Sequence, residues 1–409
     1  MKYPFRKSLE WRRWVVPELL RERPIHRWFV FPHSFTDDIV RSLAQEWGLG
    51  ADDVLLDPFV GAGTTVLAAK QIEIPAIGFD LSPLATLVTS VKVANHDPED
   101  VEDQWRRVRR RIRVRHENGE AQTYAELVRE ALPGKKLATF HGAKAAIEDL
   151  DVAAATRKFF LLALLAQIPK YSNAVPTGGW LSWTPNRRSV ERLAHDMDKM
   201  IHAMLADMRK ARHRSGKKWR VRSADARRLP VQDGGCSAVI TSPPYPNRHD
   251  YTRVFGVELM FGFLDWEETR NLRYQLLHSH PEAKPDRPAA DGYEEPCFIT
   301  RAICQVAKHG ERERIVAMLH GYFLDLFLSL KEVARALRLG GQAAFVVGNA
   351  QYDGYPVEVD RATAQIGEQA GLRCMEIRIV RERGNSAQQM KEHGRQPSRE
   401  SVVVFRKPG

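Results

Sequence analysis

The chain is poor in cysteine. It has four in 409 residues (Cys236, Cys297, Cys304 and Cys374), with no CxxC pair and no histidine-rich cluster beside them. That excludes a zinc ribbon or a disulfide framework, calls for no metal, and suits a reducing interior. No stretch approaches the ~20 consecutive apolar residues that a membrane-spanning helix needs. The first residues, MKYPFRKSLEWRRW, are basic but have no apolar core, so they do not read as a secretory signal. Acidic residues are also in deficit, 51 against 62 Lys plus Arg, for a net charge of +11. Together these absences predict a cytoplasmic protein that does not touch membrane.

What the chain does have is arginine. Only 18 of its cations are lysines and 44 are arginines, whose planar fork matches phosphates and base edges. A polyanionic partner is therefore expected. With 43% apolar residues, the chain can bury a sizeable core divided among two or three units.

The pattern along the chain suggests an interrupted α/β fold. Thr36 caps an amphipathic stretch, Asp37 to Trp47, closed by Gly48 and Gly50. Asp53–Asp57 reads as a buried strand, followed by a glycine-rich turn, a helix near Thr64–Gln71 and a strand at Ala76–Asp80. This is the β-turn-α-β unit of an open parallel sheet. From about His96 to Lys218 the strand signals vanish and helical segments alternate with Pro/Gly breaks. Alternation resumes with strands at Trp219–Ala224 and Ser237–Thr241. A helix is expected over Glu313–Leu339, ended by Gly340-Gly341, then a strand over Gln342–Val347. A C-terminal hairpin near Cys374–Val380 and Val402–Phe405 would close the sheet. The expected organisation is thus an N-terminal segment (1–50), a split catalytic unit (51–95 and 216–409), a helical insertion (96–215) and a flexible insertion (265–312).

Two motifs carry chemistry. In Asp57-Pro-Phe-Val-Gly-Ala-Gly-Thr-Thr65, Gly61 and Gly63 let backbone approach a ligand where a strand turns into a helix. There is no Gly-Lys-Ser/Thr, so this is not a P-loop, and the third glycine of a dinucleotide fingerprint is missing. Asp80, at the end of the next strand, is placed to accept ribose hydroxyls, which points to a nucleoside cofactor without an obligatory pyrophosphate. In Thr241-Ser-Pro-Pro-Tyr245 two prolines that cannot donate to a sheet follow a strand, making a stiff loop flanked by a hydroxyl and an aromatic ring.

As a pair, these motifs resemble those of the DNA amino-methyltransferases, which use S-adenosylmethionine to methylate N4 of cytosine or N6 of adenine. The serine in place of Asp or Asn before Pro-Pro-Tyr resembles the cytosine-N4 branch. The resemblance covers roughly residues 25–95 and 216–405. It implies a Rossmann-like class I methyltransferase sheet, mostly parallel with a C-terminal antiparallel hairpin, carrying a large helical insertion.

Carried over position by position, the resemblance implies a cofactor pocket of Asp57, Pro58, Phe59, Gly61, Gly63, Thr64 and Thr65 on the methionine side. It adds Asp80 and Leu81 at the ribose, Asp225 and Ala226 at the adenine, Thr241, and the N-terminal Phe31, Pro32 and Phe35. Ser242, Pro243, Pro244 and Tyr245 form the implied catalytic loop. The Ser242 hydroxyl and the Pro243 carbonyl would accept the two amino hydrogens, and Tyr245 would stack on a base flipped out of duplex DNA. Cys236 precedes this loop, which argues against a cysteine-nucleophile mechanism.

Three basic runs are candidate phosphate contacts: Trp105–His116, Arg209–Arg228 and Arg381–Arg399. Arg248, His249 and Tyr251 follow the catalytic loop, and Arg383 lies in the tail run, as further nucleic-acid contacts. Between the motifs, the helical block is the implied target-recognition region, with Gly178–Trp183 as a possible recognition loop or a pair of buried tryptophans. Residue types leave other functions open: adenine-N6 methylation, methylation of RNA of the tRNA guanine-N2 type, or a catalytically silent DNA-binding protein. A nucleoid-associated enzyme with a companion restriction endonuclease completes the expectation.

Overall fold

The computed structural model describes residues 3–115, 123–186, 188–211, 219–247, 249–283, 290–308, 313–352, 354–384 and 397–409. One eight-stranded sheet organises it. Its strands are β1 (Phe5–Lys7), β2 (Leu55–Asp57), β3 (Ala76–Asp80), β4 (Trp219–Ser223), β5 (Cys236–Thr241), β6 (Leu337–Gly348), β7 (Arg373–Gly384) and β8 (Pro397–Arg406). Across the sheet they run β1-β7-β8-β6-β5-β2-β3-β4. The pairs β2–β3, β2–β5, β3–β4 and β5–β6 are parallel, while β8 runs antiparallel to both β6 and β7. This is the expected parallel sheet with a C-terminal antiparallel hairpin.

The strand order reverses between β2 and β5, and open α/β sheets bind ligands beyond the carboxyl ends of strands at such a switch point. Both chemical motifs leave the sheet there, one after β2 and one after β5. Central strand β5 is buried at all six positions, as expected for a parallel strand covered on both faces.

Side chains alternate between two apolar clusters. Leu55, Ala238, Ile240, Ala344 and Val346 join one; Leu56, Val239, Ala343, Phe345 and Val347 join the other. Helices Pro83–Val93, Ala154–Leu165 and Leu193–Lys210 cover the first face together with the N-terminal segment, and helices Glu313–Ala336 and Val359–Gln369 cover the second.

Local structure departs from the sequence expectation in three places. Residues 96–218 are not wholly helical: Ala174–Thr177 and Trp180–Trp183 form an antiparallel hairpin, too short and too rich in Pro and Gly to stand out by alternation. Gly340-Gly341 does not end a helix; helix Glu313–Ala336 passes into β6, which continues through both glycines. A Cβ on Gly341 would meet the carbonyls of Ser237 and Arg338 at 2.9 Å, so Gly341 permits close backbone approach within the strand, while Gly340 takes φ +74°. Finally, Phe5–Lys7 adds an edge strand parallel to β7, with pairing set by residues more than 370 positions away.

The N-terminal segment is held by one buried carboxylate. Asp207, on helix Leu193–Lys210, accepts from Ile25 N–H at 3.0 Å, Arg27 Nε at 2.9 Å and Nη2 at 2.6 Å, and Trp28 Nε1 at 3.0 Å. It thereby holds Ile25 at φ +66°, a region β-branched residues avoid. Asp207→Ala would leave these donors unpaired beneath a buried wall. The expected loss is about 3–5 kcal/mol of unfolding free energy, read from urea midpoints; a loss below 1 kcal/mol would contradict the anchoring role.

Candidate active site

Strand β2 ends in Asp57, and the chain then makes the tight turn Pro58–Gly63 before helix Thr64–Gln71. Gly63 sits at φ +85°, and a Cβ there would fall 2.6 Å from Thr89 Oγ1, so only glycine fits. The turn is tied on several sides. Gly61 N–H donates to Asp80 Oδ2 at 3.0 Å, and Thr89 Oγ1 donates to Gly61 O at 3.0 Å. The buried ammonium of Lys92 donates to Ala62 O at 2.8 Å and to Phe29 O at 2.7 Å, joining the turn to the N-terminal segment. Burial pushes Lys92 down to about 7.

The two motifs meet at Asp57. Its Oδ1 accepts from Thr241 Oγ1 at 2.6 Å and from Phe59 N–H at 3.1 Å. Burial raises its pKa to about 6, against the hydrogen bonds from Thr241, Thr65 and Phe59 and with the nearby Asp80 charge pushing the same way. Burial also raises Asp80, opposed by the backbone N–H groups of Ser82, Gly61 and Leu81. Two carboxylates thus stand at the rim of a desolvated space, and the groups acting on Asp57 are hydroxyls, an N–H and a second acid.

That space is a cleft of about 1070 Å³. Phe31 and Phe35 line it from the N-terminal segment, and Asp57, Pro58, Phe59, Gly61 and Thr64 from the turn. Asp80 and Leu81, Asp225 and Ala226, Ser242 and Pro244, and Tyr251 complete the expected set. Other expected residues lie behind it. The side chain of Thr241 is turned to Asp57, and Thr65 Oγ1 donates to Ile240 O at 3.2 Å. Pro32, Gly63 and Pro243 do not line the cleft.

Tyr245 stands beside it. Its ring packs so closely on Gly348 that a Cβ there would meet Cε2 at 2.7 Å, and its hydroxyl is 3.5 Å from Ser242 Oγ. Ser242 Oγ donates to the Val346 carbonyl at 3.0 Å. Because a carbonyl can only accept, the serine proton is committed there and lone pairs remain on the hydroxyl. His249 is buried with Nδ1 3.2 Å from His33 Nε2 and its ring against Tyr251, and burial lowers its pKa to about 4. Arg248 and the side chain of Arg383 lie outside the described residues.

One wall has no counterpart in the expected set. Leu272, Leu276, Leu277 and Ser279, from the segment expected to be a flexible insertion, close over the cleft together with Phe255 and Leu259. Helix Trp266–Gln275 opens on a capping box of Asp265 and Glu268, a legible start signal that says nothing of where the helix packs. Its docking rests on buried charge. Arg227 bonds Asp225 and the Gln275 carbonyl and pairs with Asp325 at 3.0 Å, while His278 N–H donates to the same Asp325 carboxylate at 3.1 Å. Nearby, Asp250, His280 and Glu282 form a group of metal-ligand type, but Arg273 lies 2.8 Å from Asp250 and Arg253 lies 3.4 Å from Glu282, so arginines take up both carboxylates.

The basic runs divide. Arg106, Arg109 and Arg209 pair with Asp103, Asp198 and Glu102, and Arg381 and Arg399 pair with Glu400 and Asp360. Arg110, Arg111, Arg113 and Arg115 are exposed around one depression.

Residues 20–86 match a family model for N6/N4 methyltransferases, described as DNA methylase. Over 97% of its length the chain is 24% identical to the type II methyltransferase M.BsoBI of Geobacillus stearothermophilus, covering 88% of that protein. Over the same share it is 25% identical to M.AvaI of a Nostoc species, covering 89%. Along nearly its whole length, then, the chain is similar to type II DNA methyltransferases, and its cofactor turn to the N6/N4 DNA methylase model. Among solved structures, a geranyl diphosphate methyltransferase in complex with SAM aligns over 91% of this chain and 85% of that one, at 8% identity and a TM-score of 0.32. The cleft fits S-adenosylmethionine: apolar walls for an adenine, an acid for ribose hydroxyls, and the buried Asp57, held by hydroxyls and an N–H, for a positively charged methionine end. Among the described residues, no helix is long and apolar enough to cross a membrane.

Asp57→Asn keeps an acceptor for Thr241 and Phe59 but removes the titration. Asp57 in the native protein holds a proton that the unfolded chain gives up between pH 3.8 and about 6. Wild-type stability, relative to the variant, should therefore fall as pH rises through that window and level off above it. The expected drop is on the order of 2–3 kcal/mol. Parallel pH series of urea midpoints would contradict the buried charge.

Proposed function

We propose that the protein methylates the exocyclic N4 of cytosine, in a base turned out of duplex DNA, with S-adenosylmethionine as donor. The observation that carries this is a single cleft lined both by the glycine turn with Asp80 and by Ser242 and Pro244 of the catalytic loop. The coarser assignment, a DNA amino-methyltransferase, comes from the similarities above; the choice of cytosine N4 rests on the serine at position 242.

In this proposal Phe31, Phe35, Pro58, Phe59, Gly61 and Thr64 line the methionine side of the pocket, Pro32, Gly63 and Thr65 support it from behind, and Asp57 balances its charge from beneath. Asp80 and Leu81 receive the ribose, and Asp225 and Ala226 the adenine. Thr241 serves from behind, by fixing Asp57. When bound, the cofactor supplies an electrophilic methyl group on a sulfonium.

The chain's own task is to make a poor nucleophile competent. Conjugation with the ring delocalises the amino lone pair. Ser242, its proton held by Val346, offers acceptor lone pairs to one amino hydrogen, and the Pro243 carbonyl takes the other. That draws nitrogen toward tetrahedral geometry and frees the lone pair, a gain from positioning and electrostatics. Tyr245, backed by Gly348, offers a ring face to the flipped base, since the amine is out of reach inside a duplex. Tyr251 borders the same space with His249 packed against it, and Arg248 and Arg383 are assigned to the strands. Such an enzyme works on the nucleoid in the cytoplasm, with a cognate restriction endonuclease as its companion.

The test is incubation of the purified protein with labelled S-adenosylmethionine and either unmethylated plasmid DNA or tRNA, followed by mass spectrometry of the nucleosides. N4-methylcytosine in DNA is the expected product. N6-methyladenine would move the reaction to the other amine, label in tRNA alone would make it an RNA enzyme, and no transfer would overturn catalysis. Ser242→Ala should lower kcat about 10²-fold or more while leaving cofactor affinity within a few-fold. Retention of full turnover would remove the serine from the mechanism.

A further inference from the structure

The hairpin Ala174–Thr177/Trp180–Trp183 exposes more large apolar surface than its ten residues should. Trp180 is 61% exposed, Trp183 49% and Val175 43%, three of the nine large hydrophobics left exposed among the described residues. A two-stranded hairpin is marginal alone, and burying its tryptophans would be the ordinary remedy. Here the base is braced instead. Asn173 N–H donates to Ala131 O at 2.8 Å, Asn186 N–H to Asn173 Oδ1 at 2.8 Å, Thr184 N–H to Asn173 O at 2.8 Å, and Lys136 Nζ to the carbonyls of Tyr171 and Asn186 at 2.9 and 2.6 Å. Leu181 packs on the main core, while Trp180, on the opposite face by strand alternation, stands in solvent.

Trp180 also stands beside the cleft. The Arg253 guanidinium lies over its ring at 4.3 Å, and Arg253 belongs to helix Tyr251–Val254, whose Tyr251 and Thr252 line the cleft. Residues 170–190 carry Lys170, Arg187 and Arg188 and no acidic residue; Arg188 pairs with Asp196, so the surplus there rests on Lys170 and Arg187. A rigidly held aromatic plane, a guanidinium stacked on it and a local surplus of positive charge together suit a nucleobase within a polyanion.

We infer that this hairpin is a DNA-contacting finger, with Trp180 stacking on a base of the duplex next to the nucleotide taken into the cleft. Extruding one base leaves its neighbours with an uncovered face, and an aromatic plane at the mouth of the cleft restores that stack while basic residues hold the backbone. The inference rests on the proposed DNA substrate and adds the element that engages it.

The test uses the full-length protein with unmethylated plasmid DNA and labelled S-adenosylmethionine. Trp180→Ala should lower kcat/KM for DNA about 10- to 100-fold, mainly through KM, with cofactor affinity and melting temperature unchanged. Trp180→Phe should recover most of the loss. Trp180→Leu, apolar but without a ring, should not. A Trp180→Ala/Trp183→Ala double variant that methylates like wild type would overturn the finger. So would sedimentation showing that the double variant dissociates a dimer with DNA binding unchanged, which would give the patch to a second copy. Failure of the wild-type protein to methylate DNA would instead sink the proposed function, so the two failures are separable.

Discussion

A buried hydrogen bond from Thr241 Oγ1 to Asp57 Oδ1, 2.6 Å long, joins the two halves of the site. It sits where β2 and β5 run side by side, with Leu55 opposite Ala238 and Leu56 opposite Val239. Each strand delivers one motif, and the bond sets the cofactor turn and the catalytic loop in one position relative to each other. A group-transfer reaction depends on such positioning, because misplacing the reacting atoms by about 1 Å can cost on the order of 10²-fold in rate. The bond's acceptor is buried: desolvation raises the Asp57 pKa against the pull of this bond and leaves the carboxylate ready for a cationic ligand.

The rest of the cleft is assembled by buried charges spanning long sequence distances. Lys92 bridges the carbonyls of Phe29 and Ala62, and Asp207 gathers donors from Ile25 to Trp28, so Phe31 and Phe35 reach the cleft on an anchored segment. On the far side, Arg227 and Asp325 tie the wall of residues 272–279 to the loop of Asp225. Each is a polar group taken from water and paired, and removing one partner would strand the other. These pairs hold separate segments to one cleft as much as they stabilise the fold.

Several elements were legible from sequence because the forces that make them are local. Helix Thr64–Gln71 and strands Ala76–Asp80 and Cys236–Thr241 follow from apolar periodicity between punctuating turns. The glycine turn follows from backbone geometry that Gly63 alone tolerates. Local signals misled at Gly340-Gly341, where glycine accommodates a neighbouring backbone instead of stopping a helix, and at residues 174–183, where a hairpin is held by asparagines and a lysine at its base. Composition likewise counted every arginine alike, yet Arg209, Arg227 and Arg399 are committed to carboxylates within the fold.

By itself, then, the sequence determined the α/β framework, the two motif loops and the class of chemistry, since turn geometry and periodicity act over a few residues. Tertiary structure alone decided that Thr241 faces Asp57 rather than the cleft, that residues 272–279 close over it, and that Trp180 stands exposed against Arg253. Those outcomes turn on contacts between residues far apart in the chain, and a linear pattern holds no distance between them.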